Sequence, residues 1–117
     1  MKKIISTTNA PQPIGPYSQA IMINNTLYVS GQIAINPATN NIIQGNIVEE
    51  TNQVMKNIGE ILKAADMSYE HIIKTSIFLK DMNQFAQVNE VYGSYFKSDF
   101  PARETVQVSR LPKDVNV

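Results

Sequence analysis

The sequence predicts an α+β domain in which two amphipathic helices cover one face of a single sheet. Apolar residues recur at three- and four-residue spacing over about residues 47–65 and 81–97, and alternate with polar ones over 26–35, 72–80 and 105–110. The two patterns take turns along the chain, and 117 residues, 43% of them hydrophobic, are enough for one domain with one core over residues 1–117.

Residues 11–16, Pro-Gln-Pro-Ile-Gly-Pro, exclude helix and suit an ordered loop leading into Tyr17. From Thr26 to Ile35 a strand is predicted, with Leu27, Val29 and Ile33 on one face and Tyr28, Ser30 and Gln32 on the other. Asn36-Pro37 and Thr39-Asn40-Asn41 make a turn, and Ile42-Ile43 before Gly45 reads as a short edge strand. Asn46 followed by Glu49 is a helix N-cap pattern, and Ile47, Thr51, Val54, Met55, Ile58, Ile61, Leu62 and Ala65 form one apolar stripe behind it. A second strand runs from Ile72 to Lys80, with Ile73, Ile77 and Leu79 opposite Ser76 and Phe78. Asp81 with Gln84 repeats the cap, and Phe85, Val88, Tyr92, Tyr95 and Phe96 share a face of a helix reaching about Lys97. Thr105 to Arg110 alternates again, and Pro112 ends that strand.

Right-handed crossovers put both helices on the same sheet face. If Leu27, Val29, Ile33, Ile73, Ile77, Leu79, Val106 and Val108 face the helices, parity leaves Tyr28, Ser30, Gln32, Ser76, Phe78, Arg103, Thr105 and Gln107 on the bare face. That face is too mixed for a core and too aromatic for plain solvent. The expectation is an oligomer whose sheets pack together with chemistry between subunits. Ten basic against ten acidic side chains leave no net charge, so phosphate-backbone binding is disfavoured and self-association is not opposed. The longest apolar run, Ala20 to Ile23, is far short of a membrane span, and the expectation is a cytoplasmic protein.

With no Cys, one His and no Gly-rich phosphate loop, thiol, metal and nucleotide chemistries are all disfavoured. His71, alone at a strand start, is given no role. Arg103 can fork onto a carboxylate through two parallel N–H donors, or close an inter-subunit salt bridge. Tyr17 can act as a weak acid, orient water or simply pack. Gly31 between Ser30 and Gln32 marks a bulge or a close approach by ligand or backbone. Asn89 lies at the edge of the second helix's apolar stripe, where its amide needs partners in the protein or in a substrate.

The segments Ile14-Gly15-Pro16-Tyr17-Ser18, Tyr28-Val29-Ser30-Gly31-Gln32-Ile33, Lys80-Asp81-Met82-Asn83, Val88-Asn89 with Val91-Tyr92, Phe100-Pro101-Ala102-Arg103 and Val108-Ser109-Arg110-Leu111-Pro112-Lys113-Asp114-Val115 resemble, in this order and spacing, the RidA/YjgF family of enamine/imine deaminases. The resemblance implies a chorismate-mutase-like fold, a homotrimer with sites between subunits, no cofactor, and hydrolysis of 2-aminoacrylate or 2-aminocrotonate, through their imines, to 2-keto acids and ammonia. It implies that Arg103 clamps the substrate carboxylate, that Thr105, where many members carry Cys, supports it, and that Tyr17, Ser30, Gly31, Asn89 and Glu104 border the pocket. It also implies a final, glutamate-bearing strand after Val115, of which the sequence ending at Val117 holds none. Two other readings stay open: a trimeric small-carboxylate-binding or regulatory module, and a protein acting on nucleic acid, which would want a basic stripe.

Overall fold

Hydrogen bonding divides the strands into three small sheets rather than the single sheet expected. A computed structural model describes residues 1–117. β1 (Lys3–Ile5), β2 (Ala20–Ile23) and β3 (Thr26–Val29) form an antiparallel sheet in the order β1-β2-β3; β4 (Ile35–Asn36) pairs antiparallel with β5 (Asn41–Ile42), and β6 (Lys74–Leu79) pairs parallel with β7 (Ala102–Gln107). Helix α1 (Ile47–Ala64) follows β5, and α2 (Phe85–Gly93) makes the crossover from β6 to β7.

The local signals explain these elements. Asn46 is in extended conformation and its Oδ1 accepts from the Glu49 N–H at 2.8 Å, with Glu49 and Glu50 in the first turn where the helix dipole favours acids. Asp81 caps as expected, but what it caps is a 3₁₀ turn, Met82–Gln84, from which α2 continues. β1 and β2 are additions to the expected order. Ala20 to Ile23 is β2 itself, and the Asn24-Asn25 turn, with φ of 48° and 63°, is the left-handed geometry that joins two strands in a tight hairpin. The expected strand over 26–35 stops at Val29, and Ile35 belongs to a separate ladder. The second helix ends at Gly93 rather than Lys97, because Tyr95 and Phe96 leave the helical path to pack with Tyr69 and Phe100.

Both helices lie on one side. Ile61 of α1 packs with Ile5, Ala10 and Ala20, while Ile47 of α1 and Val88 of α2 close over Leu79 of β6. Tyr28 and Phe78 point away and stay 61% and 47% exposed, as parity requires.

On β7 the expected parity is reversed. The register aligns Thr75 with Arg103 and Ile77 with Thr105, so Arg103, Thr105 and Gln107 share the inward side of Ile77 and Leu79, and Val106 stands outward beside Phe78. The Gln107 Oε1 accepts from the Met82 N–H at the start of the α2 crossover, which holds it there. Of these inward polar residues Arg103 lines a cleft and Gln107 holds the crossover, while the apolar Phe78 and Val106 face outward, so hydrophobicity alone names the wrong side. Ile73, just before β6, and Val29, the last residue of β3, are also exposed rather than under the helices.

Candidate active site

Arg103 enters the space under α2. Phe85, Asn89 and Tyr92 recur at four- and three-residue spacing on α2 and so form one stripe facing it. The Arg103 guanidinium donates to the Asn89 Oδ1 and lies 5.6 Å from the Phe85 ring centre and 5.1 Å from that of Tyr92. No carboxylate pairs with it, the ion pairs of the chain being Lys63–Glu60, Lys74–Glu104 and Arg110–Asp114. An open cleft of about 490 Å³ runs beside it, lined by Asn89, Tyr92, Gly93, Phe100, Pro101 and Arg103. A cation held only by neutral partners at the wall of a cleft keeps its charge for an anionic ligand.

Thr105 stands two residues further along the same inward face. Its Oγ1 is buried and has no hydrogen-bond partner. Glu104 is on the opposite face, where its Oε1 accepts from Ser76 Oγ at 2.8 Å and Lys74 approaches at 3.1 Å. Those two donors hold the Glu104 carboxyl below its ordinary value. The fold does not bring it to Arg103.

Tyr17, Ser30 and Gly31 gather elsewhere, in a second cleft of about 460 Å³ that also touches Gln19, Ile33 and Pro112. Its lining shares no residue with the Arg103 cleft. Tyr17 is half-exposed, its hydroxyl accepting from the Ile14 N–H at 3.3 Å. Ser30 donates to the Ser18 carbonyl at 2.6 Å, joining the loop that carries Tyr17 to the end of β3. A Cβ at Gly31 would meet nothing within 4 Å, so packing within the chain does not require the glycine. His71 closes a local turn, its Nδ1 accepting from the Ser68 N–H at 3.0 Å.

Three buried polar residues that the sequence reading passed over hold this framework. Gln19 accepts from the Thr7 N–H and donates to the Thr7, Ala10 and Pro11 carbonyls, fixing the loop before Tyr17. Asn57 of α1 donates to the Ile33 and Ile35 carbonyls and so shapes the far wall of the Tyr17 cleft. Glu50 accepts from the Asn116 and Val117 backbone N–H groups and from the Asn116 side chain, at 2.7–2.9 Å. A buried carboxylate is tolerated because those donors replace its water. Their signal in the sequence was faint: Gln19 adjoins the apolar run Ala20–Ile23, but Glu50 and Asn57 sit beside polar neighbours, Glu49 with Thr51 and Lys56, and read as surface residues.

With this geometry in view, the likeness to known proteins is extensive. A family model described as Endoribonuclease L-PSP matches residues 7–117. A RutC family protein of Pyrococcus horikoshii is 56% identical over 115 residues, covering 98% of this chain and 91% of that protein. The human protein named 2-iminobutanoate/2-iminopropanoate deaminase is 49% identical over 113 residues, covering 97% of this chain and 82% of that protein. Among solved structures, Escherichia coli TdcF with bound serine superposes with a TM-score of 0.93 at 40% identity, covering 97% of this chain and 91% of that one. Matches of this extent and identity make the chain a member of the endoribonuclease L-PSP family, the RidA/YjgF family whose motifs it carries.

Proposed function

We propose that this protein hydrolyses reactive 2-imino acids, and the 2-enamino acids that tautomerise to them, to 2-keto acids and ammonia. The names of the mammalian relatives, 47–49% identical over nearly the whole chain, support the activity. The observation that carries it into this chain's own chemistry is the unpaired Arg103 guanidinium on the wall of a cleft.

The reaction asks little of the protein. An iminium carbon is already electrophilic, so water adds to it and a proton moves from oxygen to nitrogen; the C–N bond then breaks as the carbonyl forms, ammonia leaves, and the remaining hydroxyl proton passes to solvent or to the ammonia, giving a 2-keto acid. Arg103 holds the carboxylate by two parallel N–H donors, which orients the adjacent C=N carbon as well as retaining the substrate. Asn89 holds the guanidinium, and Thr105, on the same inward side of β7, supports the carboxylate through its backbone N–H, its hydroxyl being buried. Tyr17, Ser30 and Gly31 form the other half of the pocket. Because their cleft and the Arg103 cleft have no residue in common, one complete site needs the Tyr17 side of one subunit against the Arg103 side of another. Glu104, with Ser76 and Lys74, borders that junction from the outer sheet face. The working form is a cytoplasmic homotrimer of single domains, residues 1–117, acting on small carboxylates and not on nucleic acid.

One observation favours the alternative of a non-catalytic carboxylate-binding module: no acid or histidine lines the Arg103 cleft. One experiment separates the two. A dehydratase acting on serine supplies 2-aminoacrylate, and its decay is followed spectroscopically with and without this protein. Accelerated decay that disappears in Arg103→Ala is expected, with Arg103→Lys also poor because a point charge does not reproduce the fork. Binding of 2-keto acids without accelerated decay would leave the binding module.

A further inference from the structure

Arg103 has a long, rotamer-rich side chain, and a guanidinium anchors a carboxylate in a defined orientation only if something fixes its own plane. Nothing charged does so here. Of its five N–H donors, one is used within the chain, on Asn89. The larger constraint is aromatic: the guanidinium carbon is 5.1 Å from the Tyr92 ring centre, within the range of a cation–π contact, and Phe85 adds a second ring at 5.6 Å.

Tyr92 is itself locked. Its side chain is buried, its ring packs against Phe96 at 5.0 Å, and its hydroxyl shares a hydrogen bond of 2.8 Å with Thr75 Oγ1. Thr75 is the register partner of Arg103 on the adjacent strand. The contacts close a loop: strand pairing sets Thr75 beside Arg103, Thr75 holds the Tyr92 hydroxyl, and the Tyr92 ring holds the guanidinium. An acid at position 92 would hold the arginine as firmly but would neutralise it. A tyrosine tied to a threonine fixes its direction and leaves its charge for the ligand.

We propose that Tyr92, locked by Thr75, is the positioning residue that orients Arg103 for carboxylate binding. The proposal rests on the reading of Arg103 as the carboxylate anchor. Because an anchor holds ground state and transition state alike, disturbing it should raise KM and leave kcat nearly unchanged.

The test is titration of the full-length protein with 2-oxobutanoate, a simple 2-keto acid, by calorimetry, together with deaminase kinetics. Tyr92→Leu removes the π face and should weaken binding by roughly tenfold or more. Tyr92→Phe and Thr75→Val each delete only the shared hydrogen bond, so each should weaken binding by about threefold, and the double variant should be no worse than either alone. These two changes are nearly isosteric, so they keep the test informative if Tyr92→Leu does not fold. In an Arg103→Ala background, Tyr92→Phe should have no further effect on binding. Unchanged affinity in both Tyr92→Phe and Thr75→Val would overturn the proposal, as would additive losses or an effect that persists without Arg103. If Arg103→Ala itself bound 2-oxobutanoate like the wild type, the anchor reading would fail instead.

Discussion

Thr105 shows how much a single buried atom can say. Its Oγ1 has neither solvent nor a partner within the chain, and an unsatisfied buried hydroxyl costs about 1–3 kcal/mol. Valine has nearly the same shape and suits a strand. Thr105→Val should therefore fold at least as well as the parent, with a melting temperature unchanged or higher. If the residue serves substrate mainly through its backbone N–H, kcat/KM should fall by less than about tenfold. A stable variant with a far larger loss would place the hydroxyl in the chemistry itself.

Helix α1 carries a less obvious constraint. Gly59 sits in its interior, where alanine would ordinarily be favoured by about 1 kcal/mol. A Cβ there would collide with the Tyr69 hydroxyl and lie 2.8 Å from the ring carbon that bears it. That hydroxyl donates to the Met55 carbonyl at 2.6 Å, so it is not free to swing aside. Gly59→Ala should destabilise by about 1–3 kcal/mol in chemical denaturation, opposite in sign to helix propensity, and Tyr69→Phe should relieve part of the loss. The contact also has a pH signature. Burial, then the neighbouring Tyr95 and Glu60, push the Tyr69 phenol up to about 12. The folded state thus holds this proton more tightly than the unfolded chain, so the contribution is complete below the ordinary tyrosine value near 10 and is lost as pH rises toward 12. Stability should fall over that interval less steeply in Tyr69→Phe than in the parent.

For the whole molecule the decisive feature is the outer sheet face. Phe78 and Val106 stand exposed on β6 and β7 beside the Lys74–Glu104–Ser76 network, and Tyr28 is exposed on β3, while both helices close over the inward Leu79. Burying that face against other copies would stabilise an assembly and, in the proposed trimer, bring the two half-lined clefts together. Phe78→Glu should then convert a species of three chains in sedimentation equilibrium into monomers and abolish deamination, with its helical circular dichroism retained. A monomeric parent protein would overturn the arrangement.

Local chemistry was readable from the chain alone. The apolar stripe of α1, its Asn46 cap and the alternation of β6 depend on neighbours within four residues, and those rules act before any tertiary contact forms. The motifs likewise marked Arg103, Asn89, Tyr17 and Ser30. Tertiary structure decided which side of β7 faces in, because alternation says that two faces differ and not which is covered; here the covered one holds Arg103 and Thr105. It also decided that the marked residues fall into two clefts. Asn57 reaches the Ile35 carbonyl across 22 positions and Glu50 reaches Asn116 across 66. A buried amide or carboxylate looks like a surface residue until its distant partner is placed beside it, because the hydrogen bonds that make burial tolerable are set by the fold and not by sequence neighbours.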